Sequence, residues 1–215
     1  LGHLEGDATG LIGGIANQPA GSLDMTLGSV GIYATQVYTN NIYWDLLLGA
    51  QWLEGTARII KGDTTKPEGI GWVASAEIGR YVELAEHWAV TPNLQLMGAG
   101  IDWESLNDGL AAIDYDYSTA GIVRGGVQLS REKGDVRPFL RFSLWRSLSG
   151  EDVVRYDDRD TITTHHDGDR HELGAGLQWA ATSRLRIVAA LDYIESDDSS
   201  SDDSIAGNIQ LHFDL

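Results

Sequence analysis

The residues best suited to chemistry lie in the segment HHDGDRH (165–171), which brings three His and two Asp together. Imidazole and carboxylate groups can bind a transition metal or form an acid–base pair. Their spacing matches no standard set of metal ligands, and the segment lies in the longest acidic connection of the chain. The sequence therefore favours a solvated loop here, and we expect no metal.

A second acidic segment, ESDDSSSDDS (195–204), could attract Ca²⁺ through its carboxylates. It lacks the central Gly and the terminal Glu of a calcium-binding loop. A loop of this composition could also bridge to lipopolysaccharide through divalent ions, without a defined site. We therefore expect no cofactor.

Nucleophilic catalysis has little support in the sequence. Ser, His and Asp are all common, but the chain has no GxSxG motif and nothing places a Ser beside a His and an acid. A protease acting at the rim of a barrel would have to use Asp167, Asp169, His165 and His166. We expect that the chain is not an enzyme and keep this protease as an alternative.

Composition narrows the class of protein. The 215 residues include no Cys, 26 Gly and seven Trp, and the formal net charge is -17. This charge argues against a nucleic-acid partner, because phosphates require Lys and Arg. A hydrophobic content of 42% argues against disorder. The chain starts at Leu1 without a leader, and we expect it to be part of a longer protein.

Alternation with a period of two residues dominates the chain and predicts an all-β fold. About ten segments have the length of about ten residues that a tilted membrane-spanning strand needs. The predicted strands are Gly2–Ala8, Gly28–Tyr38, Asn41–Ala57, Gly71–Leu84, Trp88–Asp102, Thr119–Arg131, Val136–Arg146, Arg170–Ala181, Leu185–Glu195 and Ser204–Leu215.

The connections between these strands alternate between short and long. The short ones are 39–41, 85–87, 132–135 and 182–184, and the long ones are 9–27, 58–70, 103–118, 147–169 and 196–203. Such alternation is typical of strands that cross between two compartments, with tight hairpins on one side and larger loops on the other. A soluble β-sandwich has no reason to keep it.

In the predicted strand Asn41–Ala57, the residues of one face indicate the environment that this face contacts. Every second residue from Ile42 is apolar, and the Trp residues Trp44 and Trp52 bracket this face. Eight residues of tilted strand span roughly 20 Å, close to the apolar band of a barrel in lipid. Trp prefers the headgroup level. We therefore predict interfacial aromatic residues at Trp44, Trp52, Trp72 and Trp179.

The opposite faces of the strands mix amides with charges of both signs. An open sheet edge cannot face hydrocarbon, so the strands must close into a barrel, and these faces would then line its lumen. We expect arginines and acids to pair there across a wet interior. The predicted lumen-lining residues are Asp45, Glu77, Gln95, Arg124, Arg141, Glu172, Arg186 and Asp192.

Several stretches, spread over about residues 24 to 215, carry a resemblance to a known family. They are GSVGIYATQVYTNNIYWDLLLGAQW, SAEIGRYVEL followed by WAVTPNLQL, VRPFLRFSLWRSL, and RHELGAGLQWAATSRLRIVAALDY. Together they resemble strands of the C-terminal translocator (β) domain of autotransporters, the type V secretion proteins of Gram-negative bacteria.

The resemblance implies an antiparallel, up-and-down transmembrane β-barrel of twelve strands. Residues 1–215 would then be a translocator domain that lacks its first strands and its passenger. It would anchor and export an N-terminal passenger at the bacterial outer membrane. Its partners would be outer-membrane lipid and lipopolysaccharide, the barrel assembly machinery, periplasmic chaperones and the passenger.

The last strand of the family carries a signal for assembly. Here the end GNIQLHFDL supplies Leu211, Phe213 and Leu215, with Gln210 where the family usually has Gly. Besides the rim protease, a small porin or adhesin barrel without a passenger is an alternative reading.

Overall fold

The computed structural model of the chain describes residues 2–12, 15–59, 64–84, 87–157, 159–165, 168–182, 184–197 and 203–213. These residues form fourteen β-strands in one sheet. They contain no helix that could cross a membrane. The strands are β1 (Gly2–Ile12), β2 (Ile15–Val37), β3 (Ile42–Ile59), β4 (Glu68–Arg80), β5 (Val82–Glu83), β6 (Trp88–Trp103), β7 (Leu106–Asn107), β8 (Ala112–Tyr115), β9 (Ser118–Arg131), β10 (Val136–Tyr156), β11 (Asp160–His165), β12 (Asp169–Ala180), β13 (Leu185–Ser196) and β14 (Ser204–Phe213).

Ten long strands follow one another through the sheet in chain order. The path is β1-β2-β3-β4-β6-β9-β10-β12-β13-β14, and every pairing along it is antiparallel. The sheet curls into a half-barrel. The predicted antiparallel, up-and-down β fold is therefore confirmed.

Tight turns lie at one end of the sheet, which we call the turn end. They follow β2, β9 and β12, and the longer connections lie at the opposite loop end. Asn41 and Gly134 have backbone φ angles of 63° and 101° within two of these turns. Asn and Gly adopt such left-handed conformations at the lowest cost, so these two residue types favour a chain reversal at positions 41 and 134.

The distribution of polarity across the sheet is the reverse of that in a water-soluble protein. Among the described residues, the buried polar side chains include Ser143, Glu172 and Asp192, whereas the buried apolar residues are only Ala89 and Ile113. Large aliphatic side chains on the other face are widely exposed, as with Ile32 at 73% and Ile209 at 76%. Exposed apolar surface of this extent marks a contact with lipid or protein. We call the first face the lumen face and the second the lipid face.

Two of the predicted long connections are wrong, because they are largely strand. Residues 9–12 end β1 and pair with residues 15–19 of β2, which runs on through residue 27, while residues 147–156 continue β10 and residues 160–165 form β11. A strand that is surrounded by water needs no apolar face. Its sequence therefore lacks the apolar–polar alternation from which strands are predicted. The connections 58–70 and 103–118 also contain strand residues, in β3, β4, β7 and β8.

Both outer edges of the half-barrel are open in the described part of the chain. β14 pairs with β13 alone, and the second half of β2, from Gly28 to Val37, pairs with β3 alone. Strand edges in hydrocarbon need partners for their N–H and C=O groups. The open edges thus suit a larger closed barrel. That the chain lacks its first strands and its passenger stays a prediction.

Candidate functional site

The pairing register brings the predicted lumen residues onto the same face. Asp45 lies opposite Glu77, Glu77 opposite Gln95, and Gln95 opposite Arg124, across four neighbouring strands. Neighbouring side chains on one face of an antiparallel sheet lie within reach of one another. The lumen face therefore gathers these groups into a band around the half-barrel.

The first group in this band is centred on Glu77 of β4. Arg124 Nη2 donates to Glu77 Oε2 at 2.5 Å, and the Tyr43 hydroxyl donates to Glu77 Oε1 at 2.6 Å. The Arg124 and Glu77 side chains are only 18% and 14% exposed. One carboxylate thus receives two donors from strands on either side of its own.

The second group is centred on Arg141 of β10. Its guanidinium lies 3.0 Å from Glu172 Oε1 and donates from Nε to Asp192 Oδ1 at 2.9 Å. Both carboxylates are almost completely buried. One arginine therefore carries the counter-charge for two buried acids, which is a strong constraint because a buried charge without a partner is costly.

Trp145 links the two groups. Its indole Nε1 donates to Glu172 Oε2 at 2.8 Å, and the Arg124 guanidinium carbon lies 5.2 Å from the centre of its ring. A cation at this distance is attracted to the face of the indole. The result is one continuous set of contacts from β3 to β13, which we call the lumen network. It consists of Tyr43, Glu77, Arg124, Arg141, Trp145, Glu172 and Asp192.

Gly174 of β12 leaves room for the ion pair between Arg141 of β10 and Asp192 of β13. A Cβ at this position would lie 2.1 Å from Asp192 Oδ1 and 2.7 Å from Arg141 Cγ. Any side chain would displace one of these two residues. The ion pair between Arg141 and Asp192 therefore requires Gly at position 174.

Three of the eight predicted lumen residues lie outside the network. Asp45 accepts a hydrogen bond from the Thr35 hydroxyl, and Gln95 donates to Ser75 at 2.6 Å. Arg186 lies at the turn end, opposite Ala180, and no ion pair joins it to an acid in the part of the chain that the structure describes. Among the described residues, Arg124 and Arg141 therefore pair with lumen acids, and Arg186 does not.

Sequence reasoning missed Tyr43 and Trp145 as members of this surface. Both lie on the same strand face as predicted lumen residues, because Tyr43 precedes Asp45 by two positions and Trp145 follows Arg141 by four. Strand parity was therefore a sufficient signal for both.

A polar recess of about 190 Å³ opens beside the network. Tyr43, Asn93, Arg124, Arg141 and Ser143 contribute to its walls. Two buried atoms at this recess, Asn93 Oδ1 and Arg124 Nε, have no hydrogen-bond partner among the described residues. The recess is therefore small, polar and able to accept both a donor and an acceptor.

The four predicted interfacial Trp residues lie on the lipid face at two levels. Trp44 and Trp179 lie towards the turn end, and Trp52 and Trp72 lie towards the loop end. Trp44 Nε1 donates to the Tyr38 hydroxyl at 3.2 Å, and Trp72 Nε1 donates to the Tyr117 hydroxyl. The ring of Trp52 covers Gly28 of the neighbouring strand, where a Cβ would lie 2.1 Å from the ring. That these residues contact the lipid interface stays a prediction.

The described histidines of the segment 165–171 pair with separate acids. His165 Nδ1 lies 3.7 Å from Glu151 Oε2, and His171 Nδ1 lies 3.3 Å from Asp197 Oδ1, so each His meets a different acid. A third exposed pairing joins His3 to Glu5 at 3.2 Å and to Asp24 at 3.8 Å. His166 and Asp167 lie outside the described residues.

The predicted assembly signal lies on the open edge strand β14. Leu211 and Phe213 are on the lipid face and are more than half exposed. Leu215 lies outside the described residues.

Known proteins resemble the chain in sequence pattern and in fold. The family model described as "Autotransporter beta-domain" matches residues 1–192. No curated protein sequence matches the chain. The crystal structure of the transport unit of the autotransporter AIDA-I from Escherichia coli matches with a TM-score of 0.78 and 16% identity, over 93% of this chain and 69% of that one. The β domain of the Bordetella autotransporter BrkA matches with a TM-score of 0.69 and 20% identity, over 91% of this chain and 76% of that one.

Proposed function

Because the chain belongs to the autotransporter β-domain family, we propose that it anchors a passenger domain in the outer membrane of a Gram-negative bacterium and provides its route to the cell surface. The observation that carries this proposal is the reversed polarity of the sheet. Buried acids and arginines pair on the lumen face, while large apolar side chains project from the lipid face. A strand-built outer-membrane anchor requires this distribution.

The lumen network supports a role as a conduit. Its three acids and two arginines satisfy one another, which leaves a formal charge of -3 + 2 = -1. A passing segment would meet charged groups that already have partners, so neither charge sign of the cargo would be held strongly. The proposal contains no catalytic step by the barrel itself.

Further partners follow from the same proposal. The lipid face would contact outer-membrane lipid and lipopolysaccharide, and the strand β14 with Leu211 and Phe213 would be read by the barrel assembly machinery after delivery by periplasmic chaperones. Nucleic acid is not among the partners, since the net charge is -17.

The test is surface display of the passenger by the full-length protein. Intact cells that produce it are treated with an external protease, and the passenger is followed by an epitope tag. The proposal predicts that the tag is removed from whole cells while the barrel remains protected and migrates faster when unboiled. A folded barrel with the passenger retained in the periplasm would contradict export, and it would leave the membrane anchor standing.

A further inference from the structure

Two arginines project from the lipid face at the turn end of the sheet. Arg80 is the last residue of β4 and lies opposite Ile42 of β3, and Arg131 is the last residue of β9 and lies opposite Trp88 of β6. Both arginines are exposed, and within the described part of the chain neither forms an ion pair with an acid. Because a charge in hydrocarbon is costly, arginines on this face need a partner or a place near the headgroups.

The predicted interfacial Trp residues of the turn end show how one membrane level crosses the tilted strands. Trp44 of β3 shares a row of paired residues with His171 of β12, five strand steps away. The row is Trp44-Ile78-Leu94-Gly125-Leu144-His171. Trp179 lies eight residues closer to the turn end than His171. Strands in such barrels tilt by about 35–45°, so a constant level shifts along each successive strand, as these two Trp residues do.

Arg80 and Arg131 follow nearly the same slope. The register of β6 with β4 and β5 is continuous and places Arg80 opposite Pro92, which pairs with Val127 of β9. Arg131 lies four residues closer to the turn end than Val127, over two strand steps. This displacement is close to that of the Trp residues, so both arginines lie near the headgroup level. There a guanidinium can reach polar surroundings while its stem stays on apolar surface.

An apolar row lies between the two arginines. Val82 pairs with Val90, and Val90 pairs with Leu129, across β5, β6 and β9. Trp88 is 38% exposed and adjoins this row beside Arg131. An indole at the headgroup level keeps its ring in apolar surroundings and turns its N–H towards a polar group. We call this surface the basic patch; it consists of Arg80, Val82, Trp88, Val90, Leu129 and Arg131.

The basic patch contains no acidic residue, although the net charge of the chain is -17. The described acids of the adjoining strand ends belong to the lumen face. Glu83 pairs with the buried Ala89, and Glu132 accepts a hydrogen bond from the Ser130 hydroxyl at 2.5 Å. Asp135 lies in the turn before β10. The patch is therefore a local region of positive charge beside an apolar surface.

We propose that the basic patch binds the headgroup phosphate of an anionic phospholipid in the periplasmic leaflet of the outer membrane. This proposal rests on the proposed function, because an outer-membrane barrel has its short turns in the periplasm. Arg80 and Arg131 donate to the phosphate oxygens, the Trp88 N–H donates to the headgroup region, and an acyl chain lies on the apolar row. The planar fork of N–H donors in Arg suits a phosphate.

The absence of acids from the patch decides which lipid it selects. A zwitterionic headgroup carries an ammonium beside its phosphate, and this ammonium would meet two arginines and no carboxylate. A headgroup whose only charge is the phosphate avoids that repulsion. Basic residues near a membrane surface attract anionic lipids, and salt screens this attraction. The patch therefore selects the charge of the headgroup and does not require a particular headgroup shape.

The test measures which lipid surrounds the patch. Ile78→Cys places a fluorophore on the lipid face two residues from Arg80, where Ile78 is 54% exposed, and residues 1–215 contain no other Cys. The full-length protein, with any Cys outside this range replaced by Ser, is reconstituted in phosphatidylcholine vesicles with a minority of phosphatidylglycerol. Either lipid is then supplied with a quenching spin label on its acyl chain. At low salt we expect severalfold stronger quenching by phosphatidylglycerol than by phosphatidylcholine.

Matched variants show whether the two arginines cause this preference. Arg80→Gln with Arg131→Gln should abolish it, whereas Arg80→Lys with Arg131→Lys should keep most of it because both charges remain. The control, Arg58→Gln with Arg146→Gln, removes the same two charges towards the loop end and should leave the preference at position 78 unchanged. A fluorophore at Leu173→Cys, on the lipid face away from the patch, should show no preference for phosphatidylglycerol, because the net charge of the chain repels it. Faster migration of the unboiled sample confirms that each variant has folded.

The outcomes separate this inference from the proposed function. Equal quenching by both lipids at position 78, an equal preference at positions 78 and 173, or a preference that survives in the Gln double variant overturns the basic patch as a lipid site. These results leave the proposed function standing, since surface display of the passenger tests it. A full-length protein that neither inserts into vesicles nor migrates faster when unboiled contradicts the membrane anchor, and this inference with it.

Discussion

Arg141 of β10 and Asp192 of β13 lie two strands apart, and their side chains are joined by two hydrogen bonds that cross Gly174 of β12. The same guanidinium also holds Glu172. This arrangement places the counter-charge for two buried carboxylates on a single residue. The stability of this wall of the barrel should therefore depend on Arg141 more than on the other lumen arginines.

Substitution of Arg141 by Ala should lower the free energy of unfolding by about 3 kcal/mol, because it leaves two buried acids without a cation. The measurement is urea unfolding of detergent-folded protein, followed by the difference in gel mobility between folded and unfolded barrel. Arg186→Ala is the matched control, and we expect a change within about 0.5 kcal/mol. Equal losses in the two variants would show that the lumen network does not depend on Arg141.

Introduction of a methyl group at Gly174 should disturb the ion pair between Arg141 and Asp192, which crosses this position. Gly174→Ala places a Cβ 2.1 Å from Asp192 Oδ1, and we expect a loss of about 1–3 kcal/mol in unfolding free energy, typical of overpacking. Gly125→Ala is the control, since a Cβ there meets nothing within 4 Å. Chemical denaturation of both variants checks the prediction, and a neutral Gly174→Ala would mean that Arg141 and Asp192 can move apart without cost.

Adjacent residues of β6 offer a test of which face meets lipid. Leu96 is 55% exposed on the lipid face, whereas Gln95 faces the lumen. Leu96→Lys should destabilise the barrel in lipid vesicles by about 2 kcal/mol or more, because a cation near the middle of the bilayer is poorly solvated. Gln95→Lys should be tolerated, since it lies opposite Glu77. If the two variants unfold at the same denaturant concentration, the assignment of the faces is wrong.

Whether a strand and its faces can be predicted from the sequence depends on the environment of that strand. Leu96 and Trp52 could be assigned to their face because hydrocarbon forces alternate residues to be apolar. The strands at the loop end could not be identified, because in water both faces of β11 can be polar and its residues then resemble a loop. Partner choice was also beyond reach, since Arg141 reaches Asp192 only through the register of three strands and the missing side chain of Gly174.

The lumen network shows the same division between what alternation reveals and what it hides. Parity places Glu77, Arg124 and Glu172 on one face of the sheet, as predicted. It does not reveal that Trp145 bridges Arg124 and Glu172, because the indole contributes through both its ring and its N–H. In related sequences, an aromatic residue at lumen parity that has charged residues on the two neighbouring strands is therefore a candidate for such a bridge.

The loop between β7 and β8 should lose order at low pH. The amides of Leu110 and Ala111 both donate to Asp108 Oδ1 at 2.8 Å, and these backbone hydrogen bonds, with that of Ala111 the largest cause, lower the pKa of Asp108 from its ordinary value of 3.8. A carboxylate with a lowered pKa stabilises the folded loop above the ordinary value, and this stabilisation is lost as the pH falls through the folded pKa. Amide hydrogen exchange at Leu110 and Ala111, corrected for intrinsic rates, should therefore show protection at pH 6 that declines below the ordinary pKa.

Asp108→Asn keeps an acceptor oxygen but cannot titrate, so its protection should be weaker at pH 6 and independent of pH. A wild-type loop whose corrected protection is equal at pH 6 and at pH 2 would show that the ionised carboxylate does not hold this turn.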